Sequence, residues 1–209
     1  MTLVSSMTRP EWSVWQSRAV EAPAVLSEVL MLCQSCAVDP SECADVLDLL
    51  IMLGCDAQTQ AAALWFALAQ VEPAHWEAAS ATLPAELRRL VEGQQAAEQV
   101  WTLHAQRTVG SATEGLRRLL LAVIRDVRVV CVLLARQLAK MRAASTMAGD
   151  DERRALAWLT ANIHAPLANR LGIWQLKWEL EDLAFCYLQP DRYRPVSYTH
   201  LTLPTIYSV

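Results

Sequence analysis

The chain has 209 residues, 54% of them apolar, and a net charge of −4, so it has room for one sizeable core, or for one domain and part of a second. The acidic balance argues against a protein that mainly coats nucleic acid. The start lacks a secretion signal, and the most hydrophobic window is interrupted by Arg125, Asp126 and Arg128. We therefore expect a cytoplasmic protein that does not enter a membrane.

Helical spacing of apolar residues runs through most of the chain, and no stretch has the alternation of a half-buried strand. Asp39, Pro40 and Glu42 form a helix start with a capping residue, and Gly54 is placed to end that helix. Asp56 then opens the next helix. The predicted fold class is all-α, a helical bundle.

The longest predicted helix runs from about Thr113 to Arg142, with an apolar stripe on one side that includes Val127, Leu134 and Leu138. Basic residues fall toward another side of the same helix: Arg117, Arg118, Arg125, Arg128, Arg136 and Lys140. Simple solvent exposure is the first interpretation of this basic face. The alternative is that its first four members, Arg117 to Arg128, contact an acidic partner or RNA phosphates.

The segment after residue 150 is predicted to be helical, with a kink or restart at Pro166 and an end at Gly172. The following helix should bury a stripe of apolar residues: Ile173, Leu176, Leu180, Leu183 and Tyr187. Its carboxylates are Glu179, Glu181 and Asp182. Because adjacent carboxylates diverge around a helix, a solvated or salt-bridged face is expected rather than an acid-base centre.

Cysteine and histidine residues give no convincing site. Cys33 and Cys36 have the spacing of a redox or zinc pair, but no second pair accompanies them, so all six cysteines are interpreted as reduced structural residues. His75, His104 and His164 lie far apart and are interpreted as surface or packing residues. The chain also lacks a Gly-rich phosphate loop.

A family resemblance begins at residue 164, where the chain reads HAPLANRLGIWQLKWELEDLAFCYLQPDRYR. This segment closely resembles a signature of the long RelA/SpoT-type enzymes, which make and break the alarmones ppGpp and pppGpp. EGLRRLLLAVIRDVRVVCVLLARQLAKMR resembles an upstream helix of that family, and AAALWFALAQ resembles its fourth helix more faintly. The resemblance implies an HD-type hydrolase domain over residues 1–150, then a helical segment, 151–194, that leads to a synthetase domain.

The family's hydrolase removes a 3′-pyrophosphate with a manganese ion, which needs imidazole and carboxylate ligands. The expected run AALLHDVVED aligns with AAALWFALAQ, and the expected ADRLHNMR aligns with ARQLAKMR. The former site positions are therefore Trp65, Phe66, Ala69, Gln70, Arg136 and Lys140. An indole, a phenyl ring and a guanidinium cannot coordinate a divalent cation, so no catalytic residue and no metal site are expected.

This departure resembles the monofunctional RelA branch, in which a degenerate hydrolase domain regulates the synthetase domain. The resemblance implies a parent enzyme that uses Mg²⁺ to transfer pyrophosphate from ATP to GDP or GTP, and that responds to ribosomes stalled by uncharged tRNA. The part present here should be non-catalytic, need no cofactor and have the parent's own synthetase domain as its partner. Two alternatives are a metal-dependent (p)ppGpp hydrolase with a shifted alignment and an unrelated helical interaction module.

The last residues contain VSYTHLTLPT, where the family resemblance has ended. This string reverse-translates to a sequence that resembles a transposon-end adapter of shotgun DNA libraries, read in one frame. We therefore expect residues 195–209 to be translated adapter, so that His200 is neither a site nor part of a strand. The native part would then be a piece of a longer protein.

Overall fold

The computed structural model describes residues 23–36, 38–105, 126–147 and 149–193, with the backbone alone for 101–105 and 147. The expected adapter segment, 195–209, lies outside these residues. Throughout the described ranges the regular structure is helical, without a strand, so the predicted all-α fold class is confirmed. The elements are α1 (Ala24–Ser35), α2 (Pro40–Met52), α3 (Ala57–Val71), α4 (Pro73–Ser80), α5 (Ala85–Ala105), α6 (Val127–Met147), α7 (Asp150–Leu159), a π-helical segment (Thr160–His164), α8 (Ala165–Arg170) and α9 (Trp174–Leu188).

The chain divides into two compact units, one that ends at Ala139 and one that begins at Lys140. In the first unit α3 is the central helix, since it packs against α1, α2, α4 and α5. Its residues from Ala61 to Phe66 are all buried. A helix that is apolar all round belongs inside a bundle, and the alanines let neighbouring helices approach closely. The segment that resembles the hydrolase helix thus forms the centre of this unit.

The predicted helix starts are confirmed. The Asp39 carboxylate accepts a hydrogen bond of 2.8 Å from the Ser41 amide, with Pro40 in the first helical position of α2. The Asp56 carboxylate accepts one of 2.8 Å from the Thr59 amide at the start of α3. Gly54 ends the preceding helix with a φ of 70°, a left-handed conformation that glycine adopts without steric cost.

The prediction of one continuous helix from Thr113 to Arg142 is wrong at Asp126, because this residue is not helical. The Asp126 carboxylate accepts a hydrogen bond of 2.9 Å from the Arg128 amide, so it caps a helix that begins at Val127. Short acidic side chains compete for backbone amides in this way and favour helix starts over helix interiors. Val127, predicted in the buried stripe, is 57% exposed, whereas the stripe's later members Leu134 and Leu138 are buried.

The second unit places α9 against α7, the π-helical segment and α8. The predicted α9 stripe is confirmed at Leu176 and Leu180, which are fully buried. Pro166 cannot donate to a preceding carbonyl, and just before it the Ala165 amide donates to Thr160 in a wider turn. Gly172 ends α8 with a φ of 70°. No helix of the described residues is long and apolar enough to cross a membrane.

Candidate functional site

The candidate site lies in the first unit and centres on a contact between α3 and α6. Phe66 is fully buried, and the guanidinium carbon of Arg136 lies 4.0 Å from the centre of its ring. Burial lowers the pKa of Arg136, while the charges of Glu42 and Glu98 oppose that shift. Two of the positions where the family resemblance predicted lost metal ligands therefore form a cation–π pair.

A cavity of about 230 Å³ lies beside this pair. Its polar lining comes from Asp39, Glu42, Cys43, Gln70 and Arg136, and the rest of its wall is aliphatic. Burial raises the pKa of the Cys43 thiol, so this sulfur stays protonated at neutral pH. Among the described residues, the buried Nη1 of Arg136 makes no hydrogen bond.

These residues do not fit a divalent cation. Manganese requires oxygen or imidazole ligands that converge on one point, whereas the Arg136 guanidinium places a positive charge there and has no lone pair to donate. Within the described ranges, His, Cys, Asp and Glu side chains form no group of three that could hold a metal ion. The arrangement can instead hold the middle of α6 against the central helix α3.

Trp65 and Phe66, which the alignment pairs with the His and Asp of the family's hydrolases, contact different neighbours in the structure. Trp65 is buried, but its ring meets Trp76 of α4, with 6.3 Å between ring centres, rather than Arg136. Successive residues on a helix point about 100° apart, so only one of the pair can face α6. Ala69 is buried and Gln70 lies at the exposed edge of the cavity. Lys140 belongs to the second unit.

Sequence reasoning missed the contribution of α2 to this site. Glu42 and Cys43 line the cavity, but Glu42 drew attention only as a residue of the α2 start. Their spacing places them one turn above Asp39, on the side of α2 that meets α3. A charged residue followed by a small apolar one has no distinctive pattern, so their role could not be read from the sequence.

Arg128 of the predicted basic face is engaged within the first unit. Its guanidinium nitrogens lie 3.3 Å from Asp56, 2.7 Å from Glu86 and 2.8 Å from Asp126. The hydrogen bonds that Arg128 donates, first to Asp126 and then to Glu86, raise the pKa of its guanidinium. The other three of the first four members of this face, Arg117, Arg118 and Arg125, lie outside the described residues. A contact with an acidic partner or RNA through this face stays a prediction.

The carboxylates of α9 point to separate partners, as expected. The Arg142 guanidinium binds Glu179 through two hydrogen bonds of 2.6 and 2.7 Å, and Lys177 lies 2.8 Å from Glu181. The Tyr193 hydroxyl donates to Asp182 at 3.0 Å. This salt-bridged face is confirmed, and the three groups do not converge on a cleft.

His164 lies in the core of the second unit. It is buried, and this burial lowers the pKa of its imidazole to about 3, with the nearby charge of Lys140 acting in the same direction. The imidazole is therefore neutral at physiological pH. Its interpretation as a packing residue is confirmed.

Residues 39–174, which include α2, α3 and both members of the cation–π pair, match the sequence profile of the HD domain family. The chain belongs to the HD domain family. This HD domain is similar to GTP pyrophosphokinases: it is 36% identical over 156 residues to that of Escherichia coli strain K12, with 73% of this chain and 21% of that protein covered. The GTP pyrophosphokinase of Haemophilus influenzae is 32% identical over 154 residues, with the same coverage.

The HD domain is also similar to a protein of Synechocystis named a probable guanosine-3′,5′-bis(diphosphate) 3′-pyrophosphohydrolase. Identity there is 44% over 111 residues, which cover 53% of this chain and 14% of that protein. The match thus spans 14% to 21% of the length of these relatives. The predicted resemblance to the RelA/SpoT-type enzymes is confirmed, and the relatives carry both synthetase and hydrolase names.

Proposed function

We propose that this HD domain is the regulatory N-terminal part of a RelA-type GTP pyrophosphokinase and has no hydrolase activity of its own. The observation that carries this proposal is the Arg136 guanidinium over the buried Phe66 ring, at two positions that the sequence resemblance assigns to metal ligands of the family's hydrolases. The similarity to GTP pyrophosphokinases over 73% of the chain supports it. Catalysis then belongs to the synthetase domain of the parent, with Mg²⁺, ATP and GDP or GTP.

The parent's synthetase domain is the proposed partner of the second unit. On α9, Trp174 is 53% and Trp178 is 63% exposed, and the Lys177 ammonium lies 3.9 Å from the centre of the Trp178 ring. Exposed tryptophans are the residues that most often anchor protein interfaces. The HD profile ends at residue 174, where this face begins, and the relatives are about five times longer than the matched part. Contacts with the ribosome and uncharged tRNA are assigned to other parts of the parent.

A metal-dependent (p)ppGpp hydrolase is the second candidate, and the similarity to the Synechocystis protein favours it. It would require a ligand set from residues other than Phe66 and Arg136. The match to the HD domain family rules out the third alternative, an unrelated helical interaction module.

Incubation of the protein with ppGpp and Mn²⁺ tests the proposal. We expect no release of pyrophosphate above a metal-free control. A Trp65→His/Phe66→Asp variant should lose stability without gaining Mn²⁺ affinity, because the Arg136 charge remains beside the new ligands. Metal-dependent turnover by the unaltered protein would favour the hydrolase, and tight Mn²⁺ binding by the variant would contradict our assignment of the lost site.

A further inference from the structure

Two cysteines that are far apart in the sequence meet in the first unit. Cys55 lies in the loop between α2 and α3, and Cys131 lies in the second turn of α6. The Cys55 thiol donates a hydrogen bond to the sulfur of Cys131. The ion pair from Arg128 to Asp56, at 3.3 Å, joins the same two segments beside them. Both cysteines are half-buried, so small solutes can reach this part of the surface.

The environment of this pair differs from that of the other cysteines. The hydrogen bond from Cys55 lowers the pKa of Cys131 below that of an ordinary thiol, against the opposing effects of burial and of Asp126. The same hydrogen bond raises the pKa of Cys55, as do burial and Asp56. In the Cys33–Cys36 motif, burial raises the pKa of Cys33 to about 12, which leaves that thiol unreactive.

We propose that Cys131 is an oxidation site and that Cys55 is its resolving partner, so that hydrogen peroxide joins the α2–α3 loop to α6 by a disulfide. A thiolate in contact with a second thiol and open to solvent is the usual arrangement of a redox-sensitive pair. The inference depends on neither the presence nor the loss of hydrolase chemistry.

The reaction proceeds in two balanced steps. The Cys131 thiolate attacks one peroxide oxygen and the O–O bond breaks; the departing hydroxide takes up a proton as water, and Cys131 becomes a sulfenic acid. The Cys55 sulfur then attacks the Cys131 sulfur, and its proton leaves with the sulfenic hydroxyl as a second water. Two thiols and one peroxide thus give one disulfide and two waters.

The disulfide would close the long stretch of chain between residues 55 and 131. Such a cross-link restricts the unfolded chain, so the oxidised protein should melt at a higher temperature than the reduced protein. It would also fix the start of α6 beside the start of α3, where Arg128 already joins them through Asp56.

Peptide mapping by mass spectrometry tests this proposal on the whole protein. After a stoichiometric amount of hydrogen peroxide and alkylation of the remaining thiols, we expect a linked peptide that contains Cys55 and Cys131 and disappears on reduction. A Cys55→Ser variant should leave Cys131 as a sulfenic acid that dimedone traps. Cys36→Ser, at another half-buried cysteine, is the matched control and should leave the linked peptide unchanged.

Alkylation of the unaltered protein gives a second readout that needs no variant. At neutral pH, iodoacetamide should modify Cys131 about tenfold faster than Cys186, whose pKa is raised by burial. Equal alkylation rates, or peroxide treatment that links no Cys55 to Cys131, would overturn the proposal.

Discussion

At the scale of single residues, the Phe66–Arg136 pair determines what the first unit can do. A guanidinium over a desolvated aromatic face contributes about 2 kcal/mol, which offsets part of the cost of burying the charge. The nearby Glu42 carboxylate lowers that cost further. The pair therefore contributes to the packing of α6 on α3, whereas a metal site would need atoms that donate a lone pair at the same positions.

Removal of the Phe66 ring should show this packing role directly. We expect Phe66→Ala to lower the free energy of unfolding by about 3 to 5 kcal/mol in urea titrations, since it opens a cavity under Arg136. Met31→Ala, on an apolar side chain that is 64% exposed, should change stability by less than about 0.5 kcal/mol. Equal losses in the two variants would show that Phe66 is not part of the core.

His164 should make stability depend on pH in mild acid. The unfolded chain binds a proton near pH 6.5, but the folded chain holds its imidazole neutral until about pH 3, so stability falls as the pH drops through this window. From pH 6.5 to about pH 5 the loss should approach about 2 kcal/mol. His164→Gln removes the titrating group, so urea titrations of this variant should show a weaker dependence on pH. If stability depends on pH equally in the variant and the unaltered protein, a group other than His164 causes the acid sensitivity.

At the scale of helices, side chains that cap the ends decide where elements start. The starts at Asp39 and Asp56 could be predicted because the capping residue and its amide partner are near neighbours in the sequence. The start at Val127 was missed, since the apolar spacing continues through Asp126 and only the hydrogen bond to Arg128 reveals the interruption. Asp56 has a second role, because it also pairs with Arg128 of α6.

Variants of Asp56 separate these two roles. Asp56→Ala should cost about 1 kcal/mol, as both the cap of α3 and the pair with Arg128 are lost. Asp56→Asn keeps a capping oxygen and should cost clearly less, because an ion pair this exposed contributes little. Thermal unfolding of the two variants gives the comparison. Equal losses would mean that the charge, rather than the cap, stabilises this end of α3.

At the scale of the whole molecule, fold class and family were accessible from the sequence because they depend on periodicity and on a contiguous signature in residues 164–194. The candidate site was accessible only in part. The loss of metal ligands follows from residue identity, but the turn of Trp65 toward Trp76 and the meeting of Cys55 with Cys131 depend on contacts between distant segments. A single sequence has no signal for such pairings.

The exposed face of α9 carries a prediction about the full-length parent. In a chimaera in which residues 1–193 replace the corresponding part of the E. coli GTP pyrophosphokinase, Trp174→Ala/Trp178→Ala should raise the basal rate of pyrophosphate transfer about fivefold or more, because a restraining contact is lost. Met31→Ala is the control, since it removes an equally exposed apolar side chain from the first unit. An unchanged rate with intact helical content would contradict docking through α9.

Because Trp65 is buried while Trp174 and Trp178 are exposed, tryptophan fluorescence can serve as an intrinsic probe of this protein. Trp65 is 2% exposed and should emit at short wavelength, shielded from acrylamide, whereas Trp178 is 63% exposed and should emit at long wavelength and be quenched. The difference in emission between the unaltered protein and a Trp174→Phe/Trp178→Phe variant isolates the signal of the α9 face. When a partner covers that face, quenching of this difference signal should fall, so association can be followed in solution without an added dye.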